Sequence, residues 1–402
     1  MVPLYKRNFI CLSLLLMALV WQATVAAPKN VSVTPAPGWV KQLPVSTQSN
    51  VNPKEVNDGY HFLLRSTQWE VAQQEVYYHN VYKIVSEEGV QNNSELKISF
   101  DPAYERLALH KVVVWRNGAA INKLDLKKVK TIQREQGMEQ RIYDESLTSV
   151  LILDDIRVGD VIEYACSVKG GNPVFEGKFF RGFNLQFYDP VDELHYYVVS
   201  PQERKINYKL YKTKQKQAIA TINGKTSYTW HVKNVTANAT DNDIPAWYDP
   251  YPGVYLSEFN SWQEVVEWAL PLYELNEKLA KGLQAQVDSI LTDYKTDEDR
   301  LKATLRFVQD DVRYLGMEAG IGGFKPRSPS VVFKERFGDC KDKSLLLVTM
   351  LRQMGIKASP ALVNTTSRGQ VAEVLPSPYA FNHCIVQVDF WGKKYWYDPT
   401  IS

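Results

Sequence analysis

The chain has 402 residues, 45% hydrophobic and 12% aromatic, with 47 basic and 45 acidic side chains. That length admits two ordinary domains, and that apolar content excludes global disorder. Setting aside Lys6 and Arg7 of the N-terminal segment leaves 45 bases against 45 acids, so no broad electrostatic footprint for nucleic acid exists.

Residues 1–26 read as a signal peptide. Lys6 and Arg7 form a basic start, Phe9 to Val20 an apolar run too short to span a bilayer, and Thr24-Val25-Ala26 a small-residue cleavage site. The mature protein is therefore expected to be periplasmic or secreted, with no membrane span left after cleavage. Three cysteines then remain, Cys166, Cys340 and Cys384. An odd number leaves at least one free thiol in an oxidising compartment, which calls for a reason.

Residues 27–55, rich in Pro, Val, Ser, Thr and Asn, read as an extended leader. From 56 to 250 the text is strand-like. Glu75 to Val85, Leu107 to Trp115, Val161 to Val168 and His195 to Val199 are rich in β-branched and aromatic residues. Asn117-Gly118 and Asn223-Gly224 signal two-residue hairpins, whose turns need positive φ. The expectation is an antiparallel, sandwich-like β domain.

The pattern changes near Asn260, and 251–402 reads as a second, α+β unit. Ser261 to Glu264 forms a capping box, followed by an apolar stripe at Val265, Trp268 and Leu272 that Pro271 should kink or end. Further helices are expected over 287–294 and after Thr296, the latter burying Leu301, Leu305 and Val308. A glycine-rich loop, 316–323, and Lys325-Pro326-Arg327-Ser328-Pro329 come next.

The sharpest local feature is Phe337-Gly338-Asp339-Cys340-Lys341-Asp342-Lys343-Ser344, running into Leu347, Leu351 and Met354 at helical spacing. Cys340 then sits in the first turn of a buried helix, where free N–H groups and the positive dipole end favour a thiolate. A thiol nucleophile needs a base. His383 is the one histidine after Val232, on a strand whose alternation puts Cys384, Val386 and Val388 on the apolar face and His383 on the other. A two-residue turn at Trp391-Gly392 would pair Phe390 with Lys393, Ile385 with Asp398 and His383 with Thr400. Asp398 becomes the diagonal same-face neighbour of His383. Cysteine at a helix start, with His and Asp on adjacent strands, makes a thiol triad.

Gly338-Asp339-Cys340, Asn382-His383 and Tyr397-Asp398-Pro399 resemble the transglutaminase-like core of the papain-type superfamily. Arg313-Tyr314-Leu315-Gly316 and Cys340-Lys341-Asp342-Lys343 resemble its bacterial branch, in which a β-rich domain of unknown function precedes the core. Ile156 to Tyr164 looks like part of that domain. The resemblance implies Cys340 as nucleophile, His383 as base and Asp398 as orienter. It also implies sheet beyond Asp398, so a chain ending at Ser402 reads as a C-terminally truncated core. The function expected is cysteine-dependent acyl transfer on an amide, by peptide or isopeptide hydrolysis or transglutamination, with a protein or peptide of the cell envelope as substrate. The backbone N–H of Cys340 and, as a candidate second donor, Tyr314 would hold the oxyanion. No cofactor and no metal are expected. The alternative is a catalytically silent transglutaminase-like scaffold or binding protein of the envelope.

Overall fold

The computed structural model describes residues 30–401, apart from 50, 134–141, 144, 241–242, 276–277 and 318–319. The expected signal peptide lies outside the described residues. Among the described residues, no helix is long and apolar enough to cross a membrane.

The N-terminal half is built on one long sheet. Its strands run in the order Val31–Val33, Arg106–Arg116, Val161–Lys169, Glu75–Ile84, Tyr60–Glu70, Val191–Pro201, Lys225–Val235 and Ala218–Ile222. Most pairs are antiparallel, as the hairpin signals require. Asn117-Gly118 and Asn223-Gly224 both adopt positive φ and close their hairpins. Two pairings are parallel, Val31–Val33 on Arg106–Arg116 and Val191–Pro201 on Tyr60–Glu70. They join segments that no local turn signal links.

Two small sheets cover the apolar face of this sheet. Leu96, Phe100, Val129 and Leu151 of one pack on Leu107, Leu109, Val114 and Ile162. Phe183, Val254 and Leu256 of the other pack on Trp69, Leu194, Val198 and Trp230. The domain is sandwich-like because period-two alternation gives each strand one apolar side to bury. The strand Gly253–Ser257 belongs to the second small sheet, between Phe180–Asn184 and Asn207–Tyr211, so the β layer continues past residue 250.

The opposite face is polar, and the segment read as a leader docks there. The Trp39 indole donates to Glu75 (2.9 Å), and Lys41 exchanges two bonds with the Gln68 amide (both 2.9 Å). His79 meets Glu163 at 2.9 Å and His195 meets Ser66 at 3.0 Å, all four buried. Both histidines are bonded members of a polar layer, although the Nε2 of His195 is buried without a partner.

Among the described residues, the sheet domain carries one short α-helix, α1 (Glu87–Asn93). The second domain begins with α2 (Trp262–Ala269), whose Ser261 hydroxyl accepts from Glu264 N at 3.2 Å. Pro271 ends the regular helix, and Leu270–Tyr273 tightens to a 3₁₀ turn. Then come α3 (Lys281–Asp293), α4 (Asp297–Asp310, capped by Thr296), α5 (Pro329–Glu335) and α6 (Cys340–Gln353). The first twelve residues of α6 are all buried. It passes between α3, α4 and α5 on one side and, on the other, a three-stranded sheet of Ala358–Val363, His383–Phe390 and Lys393–Tyr397. Only a helix apolar all round its middle can occupy that position.

Candidate active site

The site is assembled where α6 begins. The Asp339 carboxylate caps the helix, accepting from Lys341 N (2.9 Å) and Asp342 N (3.1 Å), while Asp342 accepts from Asp339 N. This reciprocal cap satisfies the N–H groups of Asp339, Lys341 and Asp342 and places Cys340 at the helix's first position. Gly338 is required by packing. A Cβ there would lie 2.7 Å from the Cβ of Asp342 and 3.3 Å from Val332.

Buried charges hold the turn. Lys341 reaches Asp339 at 2.6 Å, both under 10% exposed. Burial pushes the Asp339 carboxyl up, with Lys341 pulling the other way. Arg327 grips Asp342 through its backbone N–H (2.7 Å) and its Nε (2.8 Å), and also binds Glu335 and the Phe337 carbonyl. Lys343, 2% exposed, donates to the carbonyl of Val312 at 2.6 Å. Burial lowers its pKa to about 8, against the opposing pull of Asp398 and Asp310.

Opposite the helix start lies the histidine strand. The hairpin follows the expected register, with Phe390 on Lys393 and Val386 on Tyr397, around a turn with positive φ at Trp391 and Gly392. The ladder stops there. Pro399 has no N–H to continue it, so Thr400 does not pair with His383. It folds back on Asp398, donating from its N–H (2.8 Å) and hydroxyl (2.6 Å) to Oδ1. The other oxygen, Oδ2, meets His383 Nε2 at 2.8 Å. Gln309 of α4 donates to the carbonyls of Asp398 (3.1 Å) and Ile401, tying down the segment after the strand.

With Nε2 taken, Nδ1 of His383 is the ring atom left for the thiol. The Asp398 hydrogen bond and the Cys340 sulfur together raise the imidazole from 6.5 to about 9, against burial. At neutral pH it is therefore an imidazolium. Burial pushes the Asp398 carboxyl up, but the bonds from His383 and Thr400 outweigh it and leave its pKa below the ordinary value.

Cys340 and His383 line one cavity of about 500 Å³, walled by Trp268, Leu272, Tyr273, Phe324 and Leu362. Cys384 lies on the strand's core side at 0% exposure, its thiol pushed up by burial, and Ser344 donates to its carbonyl. Cys166 is equally enclosed in the β domain. The structure thus brings Cys340, His383 and Asp398 together. Tyr314 pairs with Gly338 in a two-residue parallel bridge next to the residues that start the helix.

The comparisons agree with this architecture. Residues 284–398 match the model of the transglutaminase-like superfamily. The C-terminal core is similar to that superfamily. Residues 71–238 match a domain of unknown function, DUF3857. A crystal structure from Parabacteroides distasonis ATCC 8503, provisionally named a protease, superposes with a TM-score of 0.70 at 15% identity. It covers 85% of this chain, which spans 67% of that one, so the two share one two-domain fold. A TGase (13% identity, TM-score 0.23) covers 51% of this chain, which spans about half, 51%, of it. The periplasmic domain of TgpA from Pseudomonas aeruginosa (12% identity, TM-score 0.24) covers 58% of this chain and 76% of its own length. Both overlaps are too loose to add to the fold. No curated protein matches.

The transglutaminase-like core carries three supports that sequence reasoning missed: Arg327, Lys343 and Gln309. Arg327 stands in a stretch that the sequence does mark, between two prolines. Lys343 lies in the marked stretch after Cys340, but its carbonyl partner does not show in the sequence, and nothing local marks Gln309.

Proposed function

We propose that the protein is an exported transglutaminase-like enzyme that transfers an acyl group from an amide through Cys340, His383 and Asp398. The observation that carries the reading is the 2.8 Å bond from His383 to Asp398, with that imidazole sharing a cavity with a cysteine at the start of a buried helix. The sulfur of Cys340 attacks the amide carbonyl carbon. The imidazolium gives its proton to the nitrogen as the C–N bond breaks, leaving a thioester and a free amine. Water or a second amine then attacks the thioester carbon and gives one proton to His383 as the C–S bond breaks, restoring the Cys340 thiolate and the imidazolium. Asp398 holds the ring oriented and stabilises its charged form. The Cys340 N–H at the helix start is one donor for the oxyanion.

Export rests on residues 1–26, and N-terminal sequencing of the mature protein should return Ala27. Met1 from a membrane fraction would contradict it. The chemistry is tested by turnover of a peptide amide. Cys340→Ala and His383→Ala should each lose at least about a thousandfold, as expected for members of one catalytic unit. Full activity in either variant would sink the proposal.

A further inference from the structure

The strand Ala358–Val363 is an edge strand. One side pairs with the histidine strand, and among the described residues no strand pairs with the other. The bond from Asp389 N to the Lys357 carbonyl fixes the alternation, so Ser359, Ala361 and Val363 turn their backbone groups toward the histidine strand. Ala358, Pro360 and Leu362 turn theirs outward. Pro360, with no N–H to offer, sits at an outward position where an unpaired edge tolerates it. The Ala358 carbonyl is taken by Arg352 at 2.8 Å. Leu362 and the Pro360 carbonyl are left for another strand.

Beside this edge runs an apolar groove of about 320 Å³, between α2 with its 3₁₀ extension and Pro360 to Leu362. None of its lining residues is charged. Val266 and Leu270 stand on its α2 side at 48% and 58% exposure, unusual for large apolar residues on a helix whose other face is packed. Tyr273, Leu362 and Phe381 line both this groove and the Cys340 cavity, so the two adjoin. A free strand edge and an apolar trough leading to a nucleophile match the recognition of an extended peptide by strand addition. Main-chain bonds there supply affinity, and alternate side-chain pockets supply selectivity.

We propose that this groove is the acyl-donor subsite, taking an extended peptide that carries a bulky apolar residue next to the reacting amide. Val266 and Leu270 set that preference. The assignment rests on the thiol chemistry proposed above and adds the class of substrate.

Peptidyl electrophiles that differ only in the side chain beside the reactive group test it, with iodoacetamide as a reagent too small to need the groove. Alkylation of Cys340 is followed by intact mass. In the wild-type protein the leucine and phenylalanine probes should label Cys340 at least about tenfold faster than the serine and aspartate probes, the usual worth of one apolar side chain in a pocket. In Leu270→Asp and Val266→Asp that preference should collapse while the iodoacetamide rate stays unchanged. Both positions are exposed, so the fold should tolerate the charge. Equal rates for all probes in the wild type, or a preference kept in both variants, overturns the groove assignment alone. Absence of Cys340 labelling by every reagent overturns the thiol reading and the subsite with it.

Discussion

Asp398 does two things at once. One oxygen fixes the His383 ring, and the other is held by Thr400, so the carboxylate cannot swing away. The consequence is readable in pH. His383 binds its proton more tightly in the native state, at about 9 against 6.5. The stability this contributes is whole below about 6.5 and is lost as pH rises through about 9. Turnover should fall over the same alkaline limb, because the leaving amine then finds no proton. Asp398→Asn removes the largest cause of the shift. Its alkaline limb should move toward pH 6.5 and its kcat should drop at least about a hundredfold, with the fold intact by circular dichroism. An unmoved limb in Asp398→Asn would show that another group sets it. Cys340, His383 and Asp398 could be singled out in the sequence because each sits on a local signal: a helix start, a lone histidine on an alternating strand, a two-residue turn. Thr400 was misplaced for a local reason too, since extending the ladder ignores that Pro399 ends it.

Among the elements, the first turn of α6 decides the site. Gly338, Asp339 and Asp342 form one interlocked cap, and Arg327 clamps it from a loop fifteen residues upstream of Asp342. Gly338→Ala forces a methyl against the Asp342 Cβ at 2.7 Å and leaves no slack toward Val332. It should cost about 1–3 kcal/mol, typical of overpacking, and slow Cys340 alkylation as the cap shifts. Denaturant unfolding and iodoacetamide kinetics check this; a variant with wild-type stability and rate would mean the turn is looser than the packing implies. The Ser261 cap, the Trp391-Gly392 hairpin and the apolar stripes of α2 and α4 were readable from short-range spacing, whereas the Asp339–Asp342 capping box and α5 were not foreseen. The clamp was not, because which carboxylate Arg327 meets depends on how α5 returns the chain to α6.

At the scale of the molecule, the two domains share a core. Phe175 of the β domain packs its ring on Phe324 (4.7 Å between centroids) and Tyr379 (5.5 Å), which both belong to the catalytic domain. The Trp268 indole donates to the Val174 carbonyl at 2.7 Å. Asn172 binds Gly320, and Ser257 binds the Pro376 carbonyl. Phe324 and Tyr379 also line the catalytic cavity, so the β domain shapes the cleft without touching the reacting atoms. Phe175→Ala should therefore destabilise by about 3–5 kcal/mol. It should also raise KM for peptide amides more than it lowers kcat. If KM stays fixed while stability falls, the interface is structural only. The sandwich-like domain was legible strand by strand, whereas its parallel pairings, its docked strap and this shared core were not. Each joins segments far apart in sequence, and composition carries no address for such contacts.

The account turns on Cys340 being the reactive thiol of the folded protein. Brief iodoacetamide treatment of the native protein near neutral pH, read by peptide mass, tests this most directly. It should modify Cys340 at least about a hundredfold faster than Cys166 or Cys384, which are 1% and 0% exposed and whose thiols burial pushes up. His383→Ala should slow the Cys340 reaction without changing the other two. Equal rates at all three cysteines, or a native Cys340 that stays unmodified, would contradict it.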